Sequence, residues 1–514
     1  MYYDASFKNS VSHTTFKRLT GDQGMIVRKT KSICPVCKTV LDADIIEEEE
    51  KIWIRRICPE HGIFRSLYWS DADMFRRFDA YNNRGKGINS SIKPGDQKGC
   101  PYDCGICEEH ASGTLLANVD VTNRCNLNCD FCFANARACG YIYEPTFQQI
   151  EEMFVLLRNQ KPVPPPAVQL SGGEPTMRED LPEIIRRAKE LGFNQVQIAT
   201  NGIKLAQDEE LAYKLKDAGI STIYLHFDGV TRETNPLLEI SKKAIENCRK
   251  QKIGIVLVPT IIKGKNHHEA GAIISFAADN IDVIRGVNFQ PVAFTGAASD
   301  DDVVKERITI PDLLHNIEDQ TKGVLMASDF YPIPCVEPII DLVKSYTGRP
   351  QIQFTAHPHC GAATYLFVTD GKLVPVNRMV DVDEFFKSID VIATGLKRGG
   401  TINKYRTLLE GVKNLRPTLK NNGGEKIDFY GLITNALIHQ NFDALREFHW
   451  NALFIGTMHF MDNYNYDIDR VNRCCIHYAT PDGRIIPFCT YNSGPVWRED
   501  VWRKHALPPK SQPD

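Results

Sequence analysis

The stretch Asn123-Arg124-Cys125-Asn126-Leu127-Asn128-Cys129-Asp130-Phe131-Cys132 places three cysteines in C-x3-C-x2-C spacing. Three thiolates at this spacing fit a [4Fe-4S] cluster, which four cysteines would saturate. One iron then lacks a protein ligand and is free to bind a small molecule, so the stretch indicates catalysis. The alternative interpretations are a zinc knuckle or buried thiols, because short cysteine spacings are common at zinc sites.

From residue 115 onward, short β-branched segments alternate with amphipathic helical patterns, which predicts βα units around a parallel sheet. The predicted strands are Leu115–Thr122, Ala167–Ser171, Gln195–Thr200, Thr222–Phe227, Gly254–Thr260 and Gly286–Pro291. The predicted helices between them are Phe147–Arg158, Leu181–Leu191, Glu209–Ala218, Glu239–Lys250 and His268–Asp279. We therefore expect an α/β fold with a partial (β/α)6 barrel, whose functional residues collect at the carboxyl ends of the strands.

The motifs lie at those strand ends. The first predicted strand leads directly into the cysteine loop, and the second ends in Ser171-Gly172-Gly173-Glu174-Pro175-Thr176. This combination resembles the radical S-adenosylmethionine (SAM) superfamily. The resemblance implies that Cys125, Cys129 and Cys132 hold a cluster whose open iron chelates SAM. One electron from that cluster would then cleave SAM to a 5'-deoxyadenosyl radical.

The same resemblance implies further contacts to SAM. The Gly-Gly-Glu segment would grip its amino group, and residues at other strand ends would contact its adenine, ribose and carboxylate. The residues so implied are Phe131, Gly172, Gly173, Glu174, Thr200, Asn201, His226, Asp228, Asn288 and Gln290. The alternatives are that the Asn and Asp residues only form turns and that His226 is a core histidine.

A second C-x3-C-x2-C motif, formed by Cys100, Cys104 and Cys107, precedes the barrel. Two such triplets within one short region indicate a second, auxiliary [4Fe-4S] cluster. Its fourth ligand is open among four nearby or distant candidates, which are Glu108, Glu109, His110 and Cys139.

Near the start of the chain, Cys34-Pro35-Val36-Cys37 and Cys58-Pro59-Glu60-His61 form two close pairs separated by a hairpin's length. This arrangement suits a tetrahedral Zn²⁺ or a rubredoxin-like iron. Cys34, Cys37, Cys58 and His61 would fill every coordination position, so the site is expected to be structural. The alternative is that these four residues bind no metal.

The final third of the chain does not look barrel-like and holds five more cysteines. Four of them would complete a third [4Fe-4S] cluster, and the favoured ligands are Cys335, Cys360, Cys475 and Cys489. Cys474 and Cys475 point in different directions in extended chain, so we expect one of them to be a ligand. The alternative is that these are inert buried thiols, as we expect for Cys248.

These patterns divide the 514 residues into four parts. We predict a rubredoxin- or zinc-knuckle-like metal domain over 1–95, an auxiliary-cluster segment over 96–114, the barrel over 115–325, and a cluster-bearing C-terminal domain over 326–514. The net charge of -3 offers no basic surface for nucleic acid. The sixteen cysteines lie in metal-site spacings and no export signal or long apolar run is present, which predicts a cytoplasmic location.

The segment over 475–492, Cys-Ile-His-Tyr-Ala-Thr-Pro-Asp-Gly-Arg-Ile-Ile-Pro-Phe-Cys-Thr-Tyr-Asn, together with the other cysteine motifs resembles the archaeal tetraether lipid synthase family. This resemblance implies an isoprenoid diether phospholipid substrate and a peripheral position at the cytoplasmic membrane face. The reaction would join the terminal methyl carbons of phytanyl chains into biphytanyl tetraether or macrocyclic diether lipids. A low-potential donor such as ferredoxin would supply electrons, and the oligomeric state is left open.

Three alternatives were weighed against the lipid synthase. The first is a radical SAM methylase of a pterin coenzyme with a methylene donor. It should have a polar pocket with aromatic side chains, whereas a lipid synthase should have an apolar tunnel for the phytanyl chain. The second is a SPASM-type peptide-modifying enzyme, which should carry a peptide-binding domain that residues 1–100 do not resemble. The third is an iron–sulfur electron carrier, which needs neither an open iron nor the Gly-Gly-Glu segment.

Overall fold

The computed structural model describes residues 24–85, 87, 98–132, 134, 136, 140–295, 302–369, 372–398, 401–419, 452–494 and 497–507. Its strands are β1 Met25–Ile33, β2 Val40–Glu48, β3 Lys51–Cys58, β4 Gly62–Trp69, β5 Leu116–Thr122, β6 Ala167–Gly172, β7 Gln195–Thr200, β8 Thr222–His226, β9 Gly254–Val258, β10 Thr260–Ile261, β11 Ile284–Pro291, β12 Tyr331–Pro332, β13 Gly361–Thr369, β14 Lys372–Pro375, β15 Ala452–Met458, β16 Ile476–Ala479 and β17 Ile485–Pro487. Its α-helices are α1 Ala72–Asp79, α2 Phe147–Arg158, α3 Leu181–Glu190, α4 Ile203–Gln207, α5 Glu209–Asp217, α6 Leu238–Lys250, α7 Ala270–Asp279, α8 Asp302–Glu306, α9 Ile310–Gln320, α10 Glu337–Thr347, α11 Val382–Arg398, α12 Thr401–Asn414, α13 Ile468–Asn472, α14 Phe488–Ser493 and α15 Trp497–Lys504.

The N-terminal region is an antiparallel sheet in the order β1-β2-β3-β4. Alternate residues of β3, such as Ile52 and Ile54, are buried, as expected for a sheet with one covered face. Its apolar side chains belong to the same hydrophobic core as those of the barrel. Arg28 on β1 also pairs with Asp467 and Asp469 near the C-terminus. This N-terminal sheet, called the ribbon below, is therefore packed onto the rest of the protein.

The predicted parallel sheet is confirmed. The strands β5, β6, β7, β8, β9 and β11 lie side by side in that order and are parallel. Their helices cover the apolar face of the sheet, where Val119, Leu170 and Ile198 are buried. The one marked difference is in the fifth predicted strand, which ends at Val258, while Thr260 and Ile261 pair with β11.

The final third differs from its prediction because it extends the barrel sheet. Strand β15 adds in parallel to β11, and β16 adds in parallel to β5 at the opposite edge. Beyond them, β13 and β17 pair antiparallel. Six strands alone would leave unpaired backbone groups along both sheet edges, and these additions satisfy them. The sheet thus crosses residue 325, where we placed a domain boundary. That four-part division stays a prediction.

None of the described helices combines the length with the apolar character that crossing a bilayer requires.

Candidate functional site

The end of β6 holds the cysteine loop by backbone contacts. The Gly173 amide donates to the Thr122 carbonyl at 2.7 Å, and the Glu174 amide donates to the Arg124 carbonyl at 2.8 Å. A Cβ atom on Gly173 would lie 2.4 Å from the Arg124 carbonyl oxygen, closer than real Cβ contacts allow. Gly172 adopts a φ of +123°, a backbone region that favours glycine. The Gly-Gly pair therefore permits the loop to sit directly on the strand end.

The Glu174 carboxylate links the ends of β6 and β7. It is buried and accepts hydrogen bonds from the Thr176 amide and hydroxyl, the Thr200 hydroxyl and the Asn201 amide, at 2.6–3.1 Å. Burial raises the pKa of Glu174, and these donors oppose the increase. The structure thus brings the predicted residues together, but it directs this carboxylate at protein donors. Contact of Glu174, Thr200 and Asn201 with SAM stays a prediction.

The three thiols of the loop lie together at the barrel mouth. Burial raises the pKa of Cys129 to about 11, and the nearby charges of Cys132 and Cys125 add to this effect. Glu174 and Asp228 extend the negative surroundings, since Glu174 raises the pKa of Cys125 and Asp228 that of Cys129. Cys129 is exposed, which leaves one side of the set accessible. This donor set fits a [4Fe-4S] cluster with one open iron.

His226 and Asp228 form a pair beside the loop. The His226 Nε2 atom lies 2.8 Å from the Asp228 carboxylate, whose other oxygen accepts a hydrogen bond from the Thr260 amide at 2.8 Å. The Asp228 charge raises the pKa of His226. Because 39% of the His226 side chain is exposed, it is not the core histidine that we weighed as an alternative.

The remaining residues implied by the resemblance also lie at this edge. Asn288 and Gln290 are half-buried on β11, alternate with the buried Phe289, and make no side-chain hydrogen bond to any described residue. The Phe131 ring packs near Val292 and Phe294 and lies 4.1 Å from the Lys265 ammonium group. These side chains are available for a ligand, and their contact with SAM stays a prediction.

The sheet face opposite the helices is polar, which the sequence analysis did not single out. The Gln197 amide donates to Gln169 at 2.8 Å, and Gln169 donates to Asn118 at 2.9 Å. The Asn118 Nδ2 atom is buried and has no hydrogen-bond partner in the described part of the chain. The signal was present in the sequence, because these amides alternate with Val119, Val168 or Val196 at the period of a strand with two different faces.

Aromatic rings complete this inner face. Tyr365 on β13 and Phe454 on β15 are in edge contact, with ring centres 5.5 Å apart. Tyr224 on β8 lies close enough to raise the pKa of Tyr365 further, beyond the larger effect of burial. The strands β9, β11 and β15 separate β8 from β13 in the sheet, so these tyrosines approach each other across the barrel interior. The interior is thus lined by amides and aromatic rings.

The second cysteine triplet lies beside the C-terminal segment. Burial raises the pKa of Cys104 well above its usual value, and the charges of Cys100, Cys107 and Cys474 contribute. These residues also share one apolar cluster, in which Cys104 and Cys489 are buried and Cys100 and Cys474 lie at its border. Cys474 is therefore a candidate fourth ligand that the sequence analysis did not assign.

The earlier candidates for that ligand are placed differently. His110 is buried, and its Nε2 atom faces the Cys474 carbonyl at 2.9 Å and His477 Nε2 at 3.0 Å. That nitrogen is therefore engaged away from the thiols. Glu108 and Glu109 are exposed. Cys139 lies outside the described residues.

The C-terminal cysteines lie in segments that the fold brings close together. The pKa of Cys489 is raised by burial and by the charges of Cys474 and Cys360, and Cys475 is likewise affected by Cys360. Burial and the Asp383 charge raise the pKa of Cys335 to about 12. Cys335 lies in the segment Ile333–Val336, which contacts the segment Pro358–Cys360. The predicted ligand set Cys335, Cys360, Cys475 and Cys489 therefore stays a prediction, and Cys474 is an additional candidate.

The ribbon cysteines and histidine converge where the β1–β2 and β3–β4 turns meet. Donor atoms of Cys34, Cys37, Cys58 and His61 all lie within 4.8 Å of one another. The Cys37–Cys58 sulfur distance is 3.8 Å, which matches the edge of a tetrahedron with metal–sulfur bonds of about 2.3 Å. The arrangement fits the predicted mononuclear zinc or iron. Cys248, by contrast, is a lone buried thiol on α6.

Comparison with known proteins places these features in families. Residues 119–277 match the radical SAM superfamily, and residues 26–70 match the HMPTM N-terminal zinc ribbon domain. The chain is 46% identical over 496 residues to 7,8-dihydro-6-hydroxymethylpterin dimethyltransferase of Methanocaldococcus jannaschii, covering 94% of this chain and 96% of that protein. It is 33% identical over 187 residues to Fe-coproporphyrin III synthase of Methanosarcina barkeri, covering 35% and 44%. A probable GTP 3',8-cyclase of Methanothermobacter marburgensis is 25% identical over 302 residues, covering 56% and 93%.

These matches confirm a radical SAM enzyme, which implies SAM and one [4Fe-4S] cluster, and they confirm the zinc ribbon. They contradict the expected lipid synthase, because the relative that matches nearly the whole chain is named for a pterin. The expectation rested on cysteine motifs and on the segment over 475–492, much of which is sheet and buried helix. Residues of this kind maintain the fold, so they do not identify a substrate. The chain belongs to the radical SAM superfamily and, within it, to the zinc-ribbon family that includes the M. jannaschii pterin dimethyltransferase.

Proposed function

We propose that this protein is a radical SAM methyltransferase that acts on a reduced pterin. The observation that carries the proposal is the 46% identity to a pterin dimethyltransferase across 94% of this chain and 96% of that one. The matched length is nearly the whole of both chains, so it takes in the barrel as well as the cysteine loops. The substrate surface should therefore resemble that of the relative.

The interior of the barrel supports a polar, planar substrate. A pterin presents alternating hydrogen-bond donors and acceptors along its edge, which amides such as Gln169, Gln197 and Asn118 complement. Its flat ring would stack on aromatic side chains such as Tyr365 and Phe454. A phytanyl chain would instead leave the buried Asn118 Nδ2 atom without a partner, at a cost of about 1–3 kcal/mol.

For the SAM site, we propose that Cys125, Cys129 and Cys132 hold the cluster. When bound, it supplies the electron that cleaves SAM to a radical able to take hydrogen from carbon. The chain's own residues shape the site: Gly173 and Glu174 fix the loop, and Asn201 donates to Asn126 at 2.8 Å across it. The SAM contacts would come from exposed or half-buried groups at the same edge, namely Phe131, Gly172, His226, Asp228, Asn288 and Gln290.

We extend the proposal to the other cysteine sites. Cys100, Cys104 and Cys107 would hold one auxiliary [4Fe-4S] cluster, and the C-terminal set, defined as Cys360, Cys475 and Cys489, another. Cys474 is placed to complete either cluster. The ribbon site would hold the mononuclear metal, and an external one-electron donor of the ferredoxin type would reduce the protein.

Binding by the anaerobically reconstituted full-length protein with SAM tests the substrate assignment. We expect 7,8-dihydro-6-hydroxymethylpterin to bind saturably in equilibrium dialysis. Gln197→Leu should weaken binding about tenfold, the factor that about 1.4 kcal/mol of lost hydrogen bonding produces. Gln148→Leu is the control, because Gln148 is exposed on α2. Absence of pterin binding, with saturable binding of a diether phospholipid instead, would contradict the proposal.

A further inference from the structure

Arg470 is a buried cation without a carboxylate partner. Only 3% of the residue is exposed, and no described Asp or Glu forms an ion pair with it. Its Nε atom donates to the Cys360 sulfur at 3.4 Å, and its Nη2 atom donates to the His459 carbonyl at 2.6 Å. A buried guanidinium is costly unless an anion balances it. Its position therefore points to negative charge on the sulfur side.

The neighbouring carboxylates supply only part of that balance. Asp467 and Asp469 are both paired with Arg28, at 2.7 and 3.1 Å. Glu337 is buried, accepts a hydrogen bond from the Phe354 amide and raises the pKa of Cys475. A second buried arginine, Arg473, donates to backbone carbonyls and to Asn82 and likewise has no ion-pair partner among the described residues. Among the described residues, two buried arginines without an ion pair thus face one buried carboxylate, and thiolates bound to a cluster would neutralise the remaining positive charge.

The cysteine loop of Cys125, Cys129 and Cys132, called the SAM loop below, has the opposite surroundings. Asp130 belongs to the loop itself, and the Glu174 amide donates to the loop carbonyl of Arg124 at 2.8 Å. The one arginine of the loop, Arg124, is already paired with Glu144 at 2.7 Å. Adding an electron to a [4Fe-4S] cluster adds one negative charge. Nearby cations and sulfur hydrogen bonds favour that reduced state, whereas nearby carboxylates oppose it.

We propose that Arg470 holds the reduction potential of a cluster on the C-terminal set above that of the cluster at the SAM loop. This inference rests on the clusters assigned under the proposed function. The reaction would be the transfer of one electron from the external ferredoxin-type donor to the oxidised C-terminal cluster. No proton is transferred and no bond is formed or broken. The C-terminal cluster then acts as an electron reservoir that fills before the SAM cluster, and Arg470 is a positioning residue for that charge.

The test is a redox titration followed by electron paramagnetic resonance. The full-length chain with the cysteines of both C-x3-C-x2-C triplets changed to alanine retains only the C-terminal set for a cluster. In that background, Arg470→Met should lower the midpoint potential of the cluster by about 59 mV for one electron. At the midpoint potential of the background chain, the ratio of reduced to oxidised cluster then falls about tenfold. Arg470→Lys keeps the charge and should restore most of the potential. Arg406→Met, at an exposed residue of α12 paired with Glu410, should change nothing.

Each other outcome is decisive. A fully iron-loaded Arg470→Met protein with an unchanged midpoint would overturn the role of Arg470 and leave the cluster assignment intact. Absence of a [4Fe-4S] signal from the reduced background chain would overturn the C-terminal cluster itself, and the inference with it. If Arg470→Met cannot be loaded with a cluster, the midpoint potentials of the two clusters in the unaltered protein are compared. A C-terminal cluster with a lower midpoint potential than the SAM cluster contradicts the proposal, and one with a higher midpoint potential supports it.

Discussion

At the scale of single residues, Gly173 offers the sharpest test of the cysteine loop. A methyl group in Gly173→Ala would meet the carbonyls of Arg124 and Asn123 at 2.4 and 2.7 Å, and neither is a flexible side chain. The loop must therefore move, and a misplacement of about 1 Å can cost on the order of 10²-fold in rate. We expect that loss in SAM cleavage, measured as 5'-deoxyadenosine. Gly113→Ala, which has room for the methyl group, should cleave SAM normally. Equal rates in the two variants would argue against the contact.

The His226–Asp228 pair predicts a dependence of stability on pH. Asp228 raises the pKa of His226 in the folded protein above its ordinary value of about 6.5. The stabilisation is therefore fully present below pH about 6.5 and is lost as the pH rises through the raised pKa. The difference in melting temperature between the unaltered protein and His226→Gln should be largest at low pH. A difference that grows with pH would show that the pair does not stabilise the charged imidazole.

Part of the site could be predicted residue by residue. The positions of the Gly-Gly-Glu segment, Asn201 and His226 could be predicted because each lies at the end of a strand, and parallel strands end at one edge. The partners of the Glu174 carboxylate could not be predicted, since they depend on how closely two strand ends approach. Whether Cys335 or Cys474 belongs with Cys360 stays open for the same reason. Spacing along the chain does not fix distances between distant segments.

At the scale of elements, the zinc ribbon depends on its metal. Two turns of a small antiparallel sheet meet at Cys34, Cys37, Cys58 and His61. Cys58→Ser should remove about one equivalent of zinc or iron, measured by elemental analysis, and should make residues 24–70 sensitive to protease, because a small metal-bound domain derives folding energy from the metal. Cys248→Ala removes a buried cysteine remote from the ribbon site and should leave the metal content unchanged. Full metal retention in Cys58→Ser would exclude the assigned ligand set.

The elements of the barrel were predicted well and those of the last third were not. Alternation of β-branched strands with amphipathic helices identifies βα units such as β5 to β11 from sequence alone. Strands β15 and β16 reach the sheet edges without such alternation, and β16 has only 4 residues. A short buried strand carries little periodic signal, so its pairing with β5 is visible only in the structure.

At the scale of the whole molecule, the C-terminal helices α14 and α15 bind the barrel sheet through hydrogen bonds to one buried carboxylate. Asp120 on β5 is buried and accepts hydrogen bonds from Arg498 at 2.8 Å, Trp502 at 3.2 Å and Tyr491 at 3.3 Å. Arg498→Met leaves that carboxylate buried without its cation, which should lower the free energy of unfolding by about 3–5 kcal/mol. Chemical denaturation measures this effect.

The matched control is Arg503→Met on the same helix. Arg503 is exposed and, among the residues that the structure describes, pairs only with Glu499 at i,i+4, so its loss should change the free energy of unfolding by less than about 0.5 kcal/mol. Similar values for Arg498→Met and Arg503→Met would mean that the C-terminal segment does not depend on Asp120.

The most direct measurement of the central claim is mass spectrometry of the products. The reconstituted full-length protein is incubated anaerobically with SAM, a low-potential reductant, a methyl donor of the methylene-carrying pterin class and 7,8-dihydro-6-hydroxymethylpterin. The account predicts a pterin that gains one or more CH₂ units, with 5'-deoxyadenosine formed in proportion. An unchanged pterin while 5'-deoxyadenosine accumulates, or joined diether lipids when those are supplied instead, would contradict it.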